Sequence, residues 1–131
     1  MERRTINPWT WQDMFGFVQA NEVIGGHRIL YCAGQGSVDA DGAPLHAGDM
    51  RAQINQTMNN LEVVLQKSGY TLADVVRLHI YTTDLEGFQA AYDTFAGRLA
   101  EGDCRPACSM LGVAGLAIPT MLIEIEATAV R

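Results

Sequence analysis

Two segments of the chain each have a single apolar stripe at helical spacing, and this pattern limits the folds that are open to it. The first predicts a helix that begins at an N-cap, Asp49, and ends at Gly69. Its apolar positions are Met50, Ile54, Met58, Leu61 and Leu65. The second begins near Asp84, and its apolar positions are Leu85, Phe88, Tyr92, Phe95 and Leu99. A helix with one apolar stripe covers one face of a sheet, so the pattern predicts an α+β layer.

β-prone segments surround these helices and predict the order β-β-α-β-α-β-β. They are residues 15–20, 28–33, 74–82, 107–113 and 121–130. A Gly-Gly turn separates the first two segments, which predicts a hairpin. No linker or repeat interrupts the chain, so residues 1–131 are expected to form a single domain of 14.3 kDa.

The alternation within the strands predicts two different sheet faces. In segment 74–82, one face has Val76, Leu78 and Ile80, and the other has Arg77, His79 and Tyr81. In the last strand, one face has Met121, Ile123, Ile125 and Ala127, and the other has Leu122, Glu124, Glu126 and Thr128. The second face is partly apolar and has no row of charges, which predicts burial against another copy of the chain.

Composition excludes several classes of function. The formal net charge is -6, and the nine Lys and Arg residues are scattered, so we expect no nucleic-acid binding. The apolar runs are far shorter than the roughly 20 residues that span a bilayer, and no apolar stretch follows the N-terminal arginines. Three cysteines cannot all pair within one chain, which favours a reducing compartment. The expected location is therefore cytoplasmic, with no membrane partner.

The candidate metal and cofactor motifs are incomplete. Cys104 and Cys108 are spaced C-x₃-C without a second close pair, and the histidines are dispersed. Residues 39–42 resemble the start of a calcium loop without its closing glutamate. Residues 34–36 lack both the P-loop lysine and the dinucleotide-binding spacing. We therefore expect no metal and no cofactor.

The C-terminal run RPACSMLGVAGLAIPTMLIEIEATAV closely resembles the signature of the RidA proteins, also called the YjgF family or reactive intermediate deaminases. In that signature, Pro-Ala-Arg-Ser is followed by a short strand, a loop and Ile-Glu-Ile-Glu-Ala. The segments FGFVQA, CAGQ and DVVRLHIYTTDL match as well, so the resemblance extends from about Phe15 to Arg131. It implies a chorismate-mutase-like fold and a homotrimer whose sheets line an inner barrel. It also implies small-molecule clefts between adjacent subunits and cofactor-free hydrolysis of enamines and imines such as 2-aminoacrylate.

The resemblance also implies site residues, some of them altered. Glu124 matches the glutamate that positions water, and Gly34 matches a glycine whose backbone lines the cleft. Cys108 stands where the signature has an arginine that binds the substrate carboxylate. The other departures are Phe17 for a tyrosine, Ala33 for a serine and Tyr92 for an asparagine. Arg105 does not replace the arginine, because three residues along a regular strand reverse the direction of the side chain.

Two functional hypotheses follow. Without the arginine, a carboxylate loses two charged hydrogen bonds of about 1.5 to 3 kcal/mol each, so 2-aminoacrylate should bind weakly. The first hypothesis is an imine or enamine hydrolase for a different small metabolite, in which Glu124 positions water and Phe17 and Tyr92 form an apolar wall. The second is a non-catalytic trimer that binds a metabolite or a protein partner. The acidic charge disfavours a ribonuclease, and no certain neighbour activates Cys108 as a nucleophile.

Overall fold

The computed structural model describes residues 1–131, which form six strands in two sheets. The strands are β1 (Glu2–Ile6), β2 (Ala20–Ile24), β3 (Ile29–Gln35), β4 (Val75–Thr82), β5 (Ala107–Gly112) and β6 (Ile123–Val130). The helices are α1 (Met50–Lys67), α2 (Leu85–Ala90) and α3 (Tyr92–Glu101), with 3₁₀ turns at Trp11–Phe15 and Leu72–Asp74. None of the helices is long and apolar enough to cross a membrane.

The main sheet has the strand order β3-β6-β4-β5. β6 pairs antiparallel with both β3 and β4, whereas β4 and β5 are parallel. A parallel pair needs a long crossover, and α2 and α3 supply it between β4 and β5. The crossover lays α3 beside α1, with which it is in contact.

The core lies between the helices and one face of this sheet. The helical side chains that are almost wholly buried include Ile54, Met58, Leu61, Leu65, Phe88, Phe95 and Leu99. The strand side chains opposite them include Leu78, Ile80, Ile123 and Ile125. The apolar stripes thus cover a single sheet face, and the α+β layer expected from the sequence is confirmed. We call the other sheet face the open face.

The predicted limits of α1 are also found in the structure. The Asp49 side chain accepts a hydrogen bond from the backbone N–H of Ala52 at 3.1 Å, which caps the helix. Gly69 has φ +82°, a left-handed conformation that suits glycine just beyond a helix end. The second helix differs from expectation, because a turn at Ala91 divides it into α2 and α3. Its cap at Asp84 is nevertheless present.

The predicted hairpin of residues 15–20 and 28–33 is wrong. β2 pairs with β1, and only an isolated bridge from Val18 to Ala107 joins the preceding segment to the main sheet. The apolar run around Gly16 suggested a strand, but Gly16 has φ +80° and ends a 3₁₀ turn. The aromatic side chains of this run line a cavity, so their apolar character has a different origin from that of a strand.

The strand β1 was not expected, because its sequence, ERRTI, is mostly polar. Long-range hydrogen bonds hold β1 in place. The Arg3 guanidinium donates to the carbonyl oxygens of Ala73, Val75 and Arg105 at 2.9, 3.0 and 2.8 Å. Arg3 therefore joins β1 to the start of β4 and to the segment that leads into β5.

One predicted strand face needs a correction at its start. The pairing of β4 with β6 shifts register between Val75 and Arg77, which inserts one extra residue. Val75 is therefore fully buried in the core, and Val76 is only partly buried. Beyond this irregularity the alternation is as expected, with Leu78 and Ile80 in the core.

Candidate functional site

A cavity of about 520 Å³ lies on the helix side of β5. It contains Phe17, Tyr92 and Cys108, all of which the sequence predicts as site residues. Eight side chains line the cavity. Seven are hydrophobic, namely Trp11, Phe15, Phe17, Ile80, Tyr92, Cys108 and Met110, and the eighth is Gln89. This volume suits a small organic molecule, since ligand pockets commonly range from about 300 to 1,000 Å³.

The strand register directs Cys108 into the cavity. Cys108 pairs with Leu78 of β4, whose side chain is buried in the core, so both residues face the helices. Phe17 reaches the same space from the segment after the first 3₁₀ turn. Its ring centroid lies 5.9 Å from that of Trp11 and 6.5 Å from that of Phe15. One wall of the cavity is therefore aromatic.

Tyr92 offers its ring to the cavity, while its hydroxyl is used within the protein. The hydroxyl donates to the backbone carbonyl of Phe15 at 2.8 Å. Burial, with a smaller effect of Cys108, raises the pKa of the Tyr92 phenol. The ring makes edge contacts with Phe15, Phe88 and Phe95 at centroid distances of 5.6 to 5.8 Å. Tyr92 thus fixes the first 3₁₀ turn against α3.

The Cys108 thiol is neutral at physiological pH. Burial raises its pKa to about 12, and the positive charge of Arg77 offsets this effect only in part. A nucleophilic cysteine needs a thiolate, which a nearby base or positive field usually stabilises. Cys108 is also free of any disulfide, as are Cys32 and Cys104. It therefore contributes a small neutral group to the cavity wall.

Gln89 in α2 is the one amide among the lining side chains. Its amide makes no hydrogen bond within the chain, and the residue is exposed. No motif in the sequence predicts Gln89 as a site residue. The signal was a weak one: Gln89 precedes Tyr92 by three residues, a spacing that places two side chains on the same side of helical segments.

The other predicted site residues lie elsewhere, next to the open face. The pairing of β3 with β6 shifts register between Cys32 and Gln35, and Ala33 and Gly34 lie within this irregularity. A Cβ atom on Gly34 would lie 2.5 Å from Cδ of Glu124. Only glycine therefore lets the Glu124 carboxyl group lie against the β3 backbone.

The two glutamates on the open face have different surroundings. Oε1 of Glu126 accepts from the Tyr81 hydroxyl at 2.7 Å and lies 2.7 Å from Nδ1 of His79. The hydrogen bonds from Tyr81 and His79 lower the pKa of the Glu126 carboxyl. The Arg77 guanidinium donates to Nε2 of His79 at 2.7 Å, so the His79 proton is on Nδ1 and points to Glu126.

Glu124, in contrast, has a carboxylate without a hydrogen-bond partner in the chain. It lies on the same strand face as Glu126, two residues away, and is half-buried. A carboxylate in this position can accept a proton from a water molecule or orient one.

The structure does not bring all the predicted site residues together within one chain. The cavity is on the helix side at β5, whereas Gly34 and Glu124 form a pair next to the open face at β3 and β6. Arg105 is exposed and does not line the cavity. No group of three or more His, Cys, Asp or Glu side chains could hold a metal ion.

Comparisons with known proteins agree on one family. The family model described as Endoribonuclease L-PSP matches residues 14–131. A RutC family protein from Pyrococcus horikoshii is 30% identical over 111 residues, 85% of this chain and 86% of that protein. The 2-iminobutanoate/2-iminopropanoate deaminase of Salmonella typhimurium is 33% identical over 86 residues, 65% of this chain and 66% of that enzyme. The crystal structure of a Rid family protein of unknown function from Yersinia pestis covers 100% of both chains, at 42% identity and a TM-score of 0.89.

Proposed function

Because the chain belongs to the Rid/YjgF family, we propose that it is a cofactor-free hydrolase of C=N bonds that works as a homotrimer. A relative named as an iminobutanoate and iminopropanoate deaminase supports this class of reaction. In such a reaction, water adds to an imine, and the products are a carbonyl compound and ammonia.

The observation that carries this proposal is the free carboxylate of Glu124 beside Gly34. Glu124 accepts a proton from water as the water oxygen bonds to the imine carbon, and it passes this proton to the nitrogen, which gives a carbinolamine. Glu124 then accepts the carbinolamine hydroxyl proton and passes it to the nitrogen as the carbon–nitrogen bond breaks, so that the carbonyl compound and ammonia leave. The sum is one imine and one water converted to one carbonyl compound and one ammonia, with no oxidant or reductant. A positioned general base commonly contributes about 10²- to 10⁴-fold to the rate.

A trimer accounts for the separation of the site residues. The cavity and the Gly34–Glu124 pair lie on opposite faces of the same sheet, so one chain cannot place a ligand against both. We infer that the cavity of one protomer faces the Gly34–Glu124 pair of the next. Two apolar residues of β3, Ile29 and Tyr31, are exposed in the single chain, with relative solvent accessibilities of 57% and 77%. Their exposure supports burial of this region in an assembly.

The cavity lining supports a substrate other than 2-aminoacrylate. No cationic side chain is present where the family signature has its arginine, and Cys108 is neutral. A carboxylate would lose its hydration there without compensation. We therefore propose an uncharged or differently shaped enamine or imine as the substrate. The three free cysteines suit a reducing compartment, so we propose a cytoplasmic location.

The test compares Glu124→Gln with Glu126→Gln as its matched control. Both remove one carboxylate from the same strand face, but Glu126 is occupied by Tyr81 and His79. With a panel of imines, ammonia release should fall about 100-fold or more in Glu124→Gln. It should remain near the original rate in Glu126→Gln. Equal turnover of the unmodified protein and Glu124→Gln would overturn the proposed role of Glu124.

A non-catalytic trimer that binds a small molecule is the second candidate. The aromatic cavity favours it, because Phe17 and Cys108 line the cavity with groups that cannot bind a carboxylate tightly. Ligand binding without ammonia release from any member of the imine panel would support this function over hydrolysis.

A further inference from the structure

The polar groups of the cavity restrict the class of ligand. None of the eight lining residues is Lys, Arg, His, Asp or Glu, so no side chain there can neutralise a charged ligand. The Tyr92 hydroxyl already donates to Phe15, and burial keeps the Cys108 thiol neutral. Burying an unpaired charge costs far more than burying a neutral group. Because the Glu124 carboxylate that we propose to face the cavity from the next protomer adds only negative charge, the ligand that enters is not an anion.

The cavity walls favour a ligand with a flat apolar body. Trp11, Phe15, Phe17 and Tyr92 supply four aromatic rings around a volume of about 520 Å³. Aromatic rings attract other rings in offset or edge-to-face arrangements, beyond the gain from apolar burial alone. A two- or three-carbon substrate would leave most of this space unfilled, whereas a benzene-sized group would contact several of the rings.

Gln89 is the lining side chain that has both a donor and an acceptor available. Its amide has a carbonyl oxygen and an NH₂ group, and neither makes a hydrogen bond within the chain. The Trp11 indole offers only a donor. A ligand with a donor beside an acceptor, as in a primary amide, can form two hydrogen bonds with Gln89 at once.

We propose that Gln89 determines the specificity of the cavity, which takes compounds with an aromatic body, an amide-like group and no negative charge. This inference rests on the proposed function only for the reaction that the bound ligand undergoes. Which ligand the cavity selects is argued from the lining residues. It assigns the polar recognition to a residue of α2, whereas Cys108 lies on β5.

Ligand binding to the assembled protein, measured by calorimetry or NMR titration, tests the inference. Phenylacetamide should bind at least about 10-fold more tightly than phenylacetate, which has the same ring and a charged group. Gln89→Leu keeps the side-chain bulk and removes the amide, and it should weaken phenylacetamide binding about 10-fold. Gln66→Leu is the matched control, because Gln66 is an exposed helical glutamine outside the cavity. It should bind phenylacetamide as the unmodified protein does.

Two results would overturn the inference. One is phenylacetate binding as tightly as phenylacetamide, and the other is equal phenylacetamide affinity in the Gln89→Leu and Gln66→Leu variants. The binding experiment requires no turnover, so its failure is separate from that of the proposed hydrolysis.

Discussion

Replacing Cys108 by arginine should give the cavity affinity for a carboxylate. The Cys108 side chain faces the cavity from β5, and Phe17, Tyr92 and Met110 lie around it. The cavity of about 520 Å³ has room for the longer side chain. The guanidinium plane can stack on the aromatic rings while its N–H groups bind a carboxylate.

The expected gain in affinity follows from a few opposing effects. Two charged hydrogen bonds contribute about 1.5 to 3 kcal/mol each. Ordering the arginine side chain costs about 2 kcal/mol, and removing its charge from water reduces the gain further. A net gain of about 1.4 to 2.8 kcal/mol corresponds to an affinity for a small keto acid that is about 10- to 100-fold higher.

The assay is a calorimetric titration of pyruvate into Cys108→Arg and into the unmodified protein. Light scattering and circular dichroism should first show that both are folded and have the same oligomeric state. Cys108→Leu is the control for added bulk without charge, and it should show no gain. Turnover of 2-aminoacrylate should recover less than binding does, because Phe17 and Ala33 still lack the hydroxyl groups of the family signature.

Equal pyruvate affinity in a folded Cys108→Arg assembly would refute the reasoning. It would mean that position 108 does not face the ligand, and the assignment of the cavity as the ligand site would be wrong with it. A gain of the same size in Cys108→Leu would show that bulk, and not charge, changes the affinity.

Three further predictions concern assembly, backbone space and acid stability. Light scattering should give a mass about three times 14.3 kDa, and a stable monomer at micromolar concentration would contradict the trimer. Gly34→Ala should stay folded but release ammonia at least about 10-fold more slowly, because the Cβ atom of the alanine displaces the Glu124 carboxyl group. Unchanged turnover would argue against this position for Glu124. The pKa of the Glu126 carboxyl is lowered in the folded protein, so its carboxylate stabilises the fold at pH values above the ordinary pKa of 4.5. This stabilisation is lost as the pH falls through the folded-state pKa of Glu126. The denaturant midpoint should therefore fall more steeply below pH 4.5 in the unmodified protein than in Glu126→Gln, and parallel pH profiles would contradict the role of Tyr81 and His79.

The parts of the fold that local sequence determines could be predicted. The cap at Asp49, the apolar stripe of α1 and the left-handed Gly69 are all set by residues close in the chain. β1 could not be predicted, since its stability depends on contacts such as that of Arg3 with Val75, 72 positions away. The run around Gly16 was misinterpreted because apolar residues that line a cavity have the same composition as those of a strand.

For the candidate site, the sequence predicts a set of residues but not their arrangement in space. The family signature identifies Cys108 and Glu124, and the alternation of β6 places Glu124 and Glu126 on one face. Sequence alone does not show that Glu126 is bonded to Tyr81 and His79 while Glu124 is free. Gln89 was not predicted because no motif marks it, and the role that we propose for it depends on the aromatic rings that line the same cavity.

The location of the cavity and of the Gly34–Glu124 pair on opposite faces has a consequence for mixtures of variants. Consider one inactive variant that lacks the Glu124 carboxylate and another whose cavity is filled by a large side chain at position 108. If the two are unfolded and refolded together in equal amounts, random assembly gives roughly a quarter of the clefts an intact cavity from one chain and an intact Glu124 from its neighbour. Two inactive proteins would then complement each other and release ammonia, whereas a site contained within one chain would stay inactive in every mixture.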